Sequence, residues 1–233
     1  IKTPLIVGME MRTEINKLVE DLSNSKYIYD TKESEKRIQF KETCCLQGKK
    51  PFFMKAMNLM LQQKAFWEVV YSFKMADTGI RRFNEVLELV GRKNGKSTDL
   101  ASDGNYDLFL GSGGEDIVCA SNDDKQASLI WKEIGGMRGR LDTKSELTRQ
   151  NLAEIRNDIK NITIFKMSEK TQNKDGRNID KCYYDEMHDS KTNEIFMACW
   201  ESMSIKENPL LITCTTEGFI NDGLLDEKLE YAR

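Results

Sequence analysis

From residue 83 onward, short apolar runs alternate with stretches of helical period. The runs are "EVLELV", "DIVCAS", "ITIFKMS", "KCYYDE" and "LLITCTT". Between them stand "KSTDLASDGNYDLFL", "DKQASLIWKEIGGM" and "SELTRQNLAEIRNDI", each helix-like. Strands separated by helices of that length predict an α/β domain with a mainly parallel central sheet flanked by helices. Pro4, Pro51 and Pro209 are the only prolines and interrupt none of these elements.

Ahead of residue 83 the texture is helical. Residues 10 to 47 are charged and mostly helical in period, with "EINKLVEDL" the clearest amphipathic piece. "QGKKPFF" breaks the pattern. "MKAMNLMLQQKAFWEVVYSF" then predicts one long helix, with Met54, Met57, Leu61 and Phe66 turned to the core. The expected division is a helical N-terminal region over 1–50 and an α/β domain over 51–233.

The chain has 233 residues, 39% apolar and 31% charged, which is a globular balance. A net charge of −3 excludes a bulk basic field, so contact with nucleic acid requires a local patch. No window approaches the ~18 to 20 apolar residues of a membrane span. Opening on Ile1 suggests a piece of a longer protein. The six cysteines sit mostly in apolar runs, as buried reduced thiols do. Cys182, His188 and Cys199 have no spacing typical of zinc ligands.

The chemistry begins at "LVGRKNGKSTDL". A strand that ends in a glycine-rich turn and opens a helix is an anion site, because free backbone N–H groups and the helix dipole converge there. "EVLELV" supplies the strand, Gly91 to Gly95 the turn, and Lys96 onward the helix. Lys96 would reach the β- and γ-phosphates of ATP, and the Ser97 hydroxyl would ligate Mg²⁺. The first glycine falls one residue late for G-x-x-x-x-G-K-[ST], since position 90 is Val; the "GKS" core is intact.

Two further strand ends support this. "KCYYDEMHD" closes on Asp185 and Glu186, the first placed to hold the metal that Ser97 ligates and the second to polarise water. "PLLITCTTEG" ends in Thr215, Thr216 and Gly218, hydroxyls suited to sensing a γ-phosphate or a plain strand terminus. His188, the only histidine, either couples the acidic pair to the threonines or caps the strand. "GGMRGRLD" puts Arg138 and Arg140 on a predicted turn, either solvated or against DNA phosphates. "LGSGGEDI" is a turn before a strand.

Together "RRFNEVLELVGRKNGKS", "DIVCASNDDKQASLIW", "DGRNIDKCYYDEMHD" and "TTEGFINDGLLDE" resemble the large subunit of a tailed-bacteriophage terminase, from about residue 27 nearly to the end. The resemblance implies a P-loop NTPase of the additional-strand, catalytic-glutamate type. It implies an ATP-driven motor that moves double-stranded DNA into a procapsid, working in the host cytoplasm as a homo-oligomeric ring on the portal protein, with a terminase small subunit as partner. Carried over by position, Arg92, Lys93, Asn94, Gly95, Lys96, Ser97 and Thr98 bind ATP, and Gln63 reads adenine. Ser97 and Asp185 hold Mg²⁺, Glu186 is the catalytic acid, and Thr215, Thr216 and Gly218 form the coupling motif. Gln62 stands where the family has an aromatic residue. The family's nuclease half would follow the coupling motif, and the sequence stops at Arg233, so no DNA cutting is expected. "DEMH" also fits the box of superfamily-two helicases, which need a second motor domain. A nucleotide-binding scaffold without turnover is a third reading, opposed by Glu186. Ring ATPases need a cation from a neighbour, and Arg177 in "KDGRNIDK" is the candidate here, with Arg138 and Arg140 as competitors.

Overall fold

The apolar runs pair edge to edge into a seven-stranded sheet. In the computed structural model, residues 9–168, 178–190, 192–217 and 223–232 are described. The strands are β1 (Tyr27–Tyr29), β2 (Phe73–Met75), β3 (Glu85–Leu89), β4 (Asp116–Ala120), β5 (Arg149–Gln150), β6 (Glu154–Asn157), β7 (Ile162–Met167), β8 (Lys181–Asp185) and β9 (Leu210–Thr215). The helices are α1 (Met9–Asp21), α2 (Lys32–Thr43), α3 (Leu61–Ser72), α4 (Lys96–Leu110), α5 (Asp124–Leu141), α6 (Glu194–Ser202) and α7 (Leu224–Ala232). β1 and β2 form a separate antiparallel pair.

The large sheet runs β3-β9-β8-β4-β7-β6-β5. Pairing is parallel from β3 to β7 and antiparallel through β6 and β5. Alternation along each strand feeds two cores. Ile117 and Cys119 of β4 join Ile162, Ile164, Tyr183 and Ile212 beneath α2 to α5. Val118 and Ala120 join Phe165, Met167, Cys182 and Leu211 beneath α6 and α7. The result is a sheet with helices on both faces, as the sequence predicts.

A buried ionic network ties the N-terminal helices to the sheet. Arg37 and Lys41, one turn apart on α2, meet Asp99, Asp103 and Asp107, which share a face of α4. Arg37 Nη1 lies 2.8 Å from Asp103 Oδ1 and Nη2 lies 2.6 Å from Asp107 Oδ1. Lys41 Nζ is 2.9 Å from Asp99 Oδ1, which also accepts from Trp67 Nε1 at 2.9 Å. From β8, Lys181 pairs with Asp107 and Asp103, and the Tyr183 hydroxyl donates to Asp103 Oδ2 at 2.8 Å. Glu33 adds a fourth, half-exposed carboxylate, its Oε1 2.8 Å from Arg37 Nε, and removing one buried partner would strand the others. Burial drives the Asp103 carboxyl upward, but Lys181, Arg37 and Lys41 outweigh it and hold it well below the usual range.

Two predicted helices take other forms. "SELTRQNLAEIRNDI" is the hairpin of β5 and β6. Asp142 accepts from the N–H groups of Glu146, Leu147 and Thr148, and Asn151 from those of Ala153 and Glu154. Those side chains satisfy the backbone locally and remove the need for helical bonds. The helix predicted from Met54 begins only at Leu61, where Gln63 Oε1 accepts from Met60 N at 2.9 Å. Met57 is buried, but Met54 and Leu61 are exposed, so only part of that stripe is core. Residues 44–60 instead form a loop closed by a Leu46–Ala56 bridge.

Arg138 and Arg140 are also placed differently. They lie in the last turn of α5, not on a turn between elements. Arg138 Nη1 donates to Thr148 O at 3.0 Å and Arg140 Nε to Leu46 O at 3.0 Å. Both therefore pin loops. Cys182 and Cys199 are both buried in the second core, and no three described metal-binding side chains cluster. Cys44 is exposed; the other five cysteines are buried, and all six are free.

Candidate active site

All five parallel strands deliver their carboxyl ends to one rim of the sheet, where a ligand crevice is expected. The register aligns the functional residues: Leu89 opposes Thr215, Cys214 opposes Asp185, and Tyr184 opposes Ala120. β9 therefore lies between the strand that enters the phosphate loop and the strand that ends in the acids. At ~4.8 Å per strand step, the two functional ends stand ~10 Å apart with the threonines between.

The phosphate loop, residues 90 to 95, turns through left-handed backbone at Lys93 (φ 68°) and Gly95 (φ 80°). Gly95 suits its position because it lacks a Cβ; Lys93 carries strain of the kind stored at functional sites. α4 then opens with no side-chain cap. Its first N–H groups keep no intrahelical acceptor, and the helix dipole adds positive potential there. α5, which starts on the same rim, differs: its Asp123 side chain accepts from Lys125 N and Gln126 N. One helix caps itself with a carboxylate and the other leaves its amides for an anion. Lys96 Nζ rests on Val90 O at 3.2 Å, an internal bond that a phosphate oxygen would replace.

A cleft of about 380 Å³ opens over this loop, within the range of small-ligand sites. Arg92, Lys93, Asn94, Gly95, Lys96, Ser97 and Thr98 line it from one side. Glu186, His188 and Asp189 line it from β8, Gln126 from α5 and Lys49 from the 44–60 loop. Gln63 does not line the cleft. Its Oε1 accepts from Met60 N, and its Nε2 approaches Asn94 O at 3.5 Å, so it caps α3 and braces the phosphate loop. Arg177 and Gly218 lie outside the described residues.

The acids are held unlike ordinary surface carboxylates. Asp185 is buried at the end of β8. Burial, and next the adjacent Glu186, push its carboxyl up to about 7 against the pull of Lys96. Glu186 occupies left-handed backbone (φ 53°, ψ 52°), a conformation bulky side chains rarely adopt without cause. Its Oε2 is buried without a hydrogen-bond partner, although His188 Nδ1 stands 3.0 Å away. That nitrogen is instead aligned on Thr215 Oγ1 at 3.0 Å. Thr215 Oγ1 also donates to Thr216 O at 3.2 Å and accepts from His188 N at 3.1 Å. His188 thus touches Glu186, Thr215 at the end of β9 and the neighbouring Thr216. Gln126 extends the chain, donating from Nε2 to Asp189 Oδ2 at 3.1 Å while Asp189 Oδ1 lies 3.3 Å from His188 Nε2.

Lys49, Gln126 and Asp189 carry no motif of their own. Gln126 was visible only by place, in the first turn after a parallel strand.

The model for the ATPase domain of the terminase large subunit matches residues 62–233. The chain belongs to the terminase large subunit ATPase-domain family. The large terminase of bacteriophage HK97 has a similar fold, with a TM-score of 0.72 at 22% identity over 85% of this chain and 41% of that one. This terminase sequence therefore spans less than half the length of that relative. The Thermus phage P74-26 large terminase ATPase domain aligns at 18% identity over 67% of this chain and 70% of that one, with a TM-score of 0.48. No curated protein matches the chain. In the sheet β9 is inserted between β3, which enters the 90–95 loop, and β8, which ends at Asp185.

Proposed function

We propose that this domain hydrolyses Mg²⁺-ATP in the 90–98 cleft and that hydrolysis drives double-stranded DNA into a viral procapsid. The single observation that carries the chemistry is that Glu186, held in left-handed backbone, lines the same cleft as the uncapped start of α4. A carboxylate across a cleft from free helix-start amides can polarise a water toward a phosphate held by those amides.

The residues divide the work. The α4 amides and Lys96 bind the β- and γ-phosphates, with Lys96 released from Val90 O. Arg92 and Lys93 add positive charge at the rim. Glu186 takes a proton from water as the water oxygen bonds to the γ-phosphorus. The bond from that phosphorus to the bridging oxygen breaks, leaving ADP and inorganic phosphate. The Ser97 hydroxyl and the Asp185 carboxylate fit Mg²⁺, since both are oxygen donors and burial leaves the Asp185 carboxyl only partly offset by Lys96. Bound there, the metal supplies charge neutralisation of the phosphates. His188 holds Glu186 against Thr215 and Thr216, so a change at the acid reaches β9. Gly218 completes that coupling segment, and Gln63 supports the phosphate loop through its contact with Asn94 O.

The same reading assigns residues 51–233 to the ATPase domain and 1–50 to a helical appendage, and ATP hydrolysis rather than DNA cutting to this chain. Its partners are DNA, the portal protein, the small subunit and further copies of itself in a ring on the portal, in the host cytoplasm. Among the described residues no helix is long and apolar enough to cross a membrane.

Lys96→Ala tests the loop. A charge-assisted phosphate contact is worth ~1.5 to 3 kcal/mol, so affinity for a fluorescent ATP analogue should fall ~10- to 100-fold. Equal affinity in the variant would remove the loop from the site.

Asp185 supplies a pH test. Its folded value of about 7 lies above the ordinary 3.8, so between those limits the metal-free folded protein holds a proton that the unfolded chain has released. This stabilisation is complete below the unfolded value and is lost as pH rises through 7. Asp185→Asn carries no such loss. Its denaturation midpoint, relative to the parent in EDTA, should rise between pH 4 and 8; a constant difference contradicts the buried, metal-ready carboxyl.

A further inference from the structure

A cation faces the phosphate loop from outside the motif. Lys49 stands on the loop between α2 and α3, whose base is firmly anchored. Leu46 bridges Ala56, Arg140 Nε donates to Leu46 O at 3.0 Å, and Cys45, Met57 and Leu59 are buried. Beyond that base the loop is unpacked, with Phe52, Phe53 and Met54 exposed. Lys49 lines the cleft together with Lys96, Ser97 and Glu186.

Its present partner shows where it sits. Lys49 Nζ lies 3.5 Å from Glu133 Oε2. Glu133 follows Gln126 by two helical turns, so both occupy one face of α5. Gln126 also lines the cleft and binds Asp189 beside the acid pair. Lys49 therefore stands beside α5, whose first turn carries Gln126 into the same cleft. The Lys49 side chain is 83% exposed and holds one long ion pair, which water screens heavily. A flexible four-carbon stem on a fixed base lets the ammonium change partner without moving the fold.

We propose that Lys49 is a catalytic cation acting in cis: when a triphosphate enters, its ammonium leaves Glu133 and contacts the γ-phosphate of its own subunit's nucleotide. The proposal rests on the ATPase reading above. A cation there would stabilise charge on the transferring phosphoryl group, which is where such groups accelerate the reaction. ADP has no γ-phosphate and would leave Lys49 on Glu133.

The test compares Lys49→Ala, Lys49→Arg and the parent by calorimetric titration with ADP and with a non-hydrolysable ATP analogue, with and without Mg²⁺. Lys49→Ala should bind the ATP analogue about tenfold more weakly and ADP unchanged, and Lys49→Arg should restore most of the difference. Turnover of Lys49→Ala should fall, and mixing it with Glu186→Gln subunits should not raise it, because a neighbour cannot supply a residue used in cis. Equal loss for both nucleotides, no loss for either, or recovery in the mixture would each overturn the proposal. If the parent itself binds no nucleotide, the ATPase reading fails instead. Matching melting curves for the parent and Lys49→Ala will show that a loss is not unfolding.

Discussion

Glu186→Gln is expected to bind the nucleotide as tightly as the parent and to turn it over ~10²- to 10⁴-fold more slowly. The amide has nearly the shape of the carboxylate, so the left-handed backbone at 186 and the contact with His188 should survive. What disappears is the basicity of Oε2, the buried oxygen without a hydrogen-bond partner. A loss of that size is ~3 to 5 kcal/mol of barrier, all of it in the chemical step. The measurement is single-turnover phosphate release alongside equilibrium binding of an ATP analogue. Turnover within a few-fold of the parent would move the general base to another residue. A joint loss of binding and turnover would mean that the substitution had disturbed Asp185 or the phosphate loop.

Much of this site was legible because a short motif prescribes its own geometry. "GKS" at the start of a helix and "DE" at the end of a strand each name a backbone conformation, and parallel pairing brings the ends together. The polar residues of β8 were not legible in that way. Lys181 and Tyr183 look misplaced in a buried strand until Asp103 and Asp107 are seen beneath them. Those aspartates look equally misplaced on a buried helix until Arg37 arrives from α2. Each half of the network opposes local preference, and only the pairing across the fold explains either. The hairpin at Arg149–Asn157 failed for the opposite reason. Its apolar spacing favoured a helix, but Leu152 and Ile159 are exposed while Asp142 and Asn151 satisfy the backbone themselves. Lys49 was hidden because a lysine in a basic loop has no pattern, and its place emerges only from the bridge that folds 44–60 over the cleft.

Subunit coupling sets the other large effect. If a neighbour's cation completes each site, an isolated subunit should be a poor ATPase, and activity per subunit should rise with concentration or on the portal. Arg177 is our candidate: it stands eight residues before Asp185, after an Asp-Gly pair of the kind that favours a turn. Arg138 and Arg140 compete less well, since both already bind loop carbonyls. Arginine fingers are worth ~10³- to 10⁵-fold in related phosphoryl transfer. Arg177→Ala should therefore lower assembled turnover by a factor in that range while leaving nucleotide affinity near the parent value. Mixing distinguishes a trans residue from a cis one. In a ring of Arg177→Ala and Glu186→Gln subunits, an Arg177→Ala site keeps its own Glu186 and borrows the arginine of its neighbour. Some turnover should return, although each parent alone is inactive. The same mixture made with Lys49→Ala should stay silent, because that site lacks a cation no neighbour supplies. Should the Arg177→Ala mixture remain inactive under conditions where parent rings hydrolyse ATP, the trans cation is a different residue.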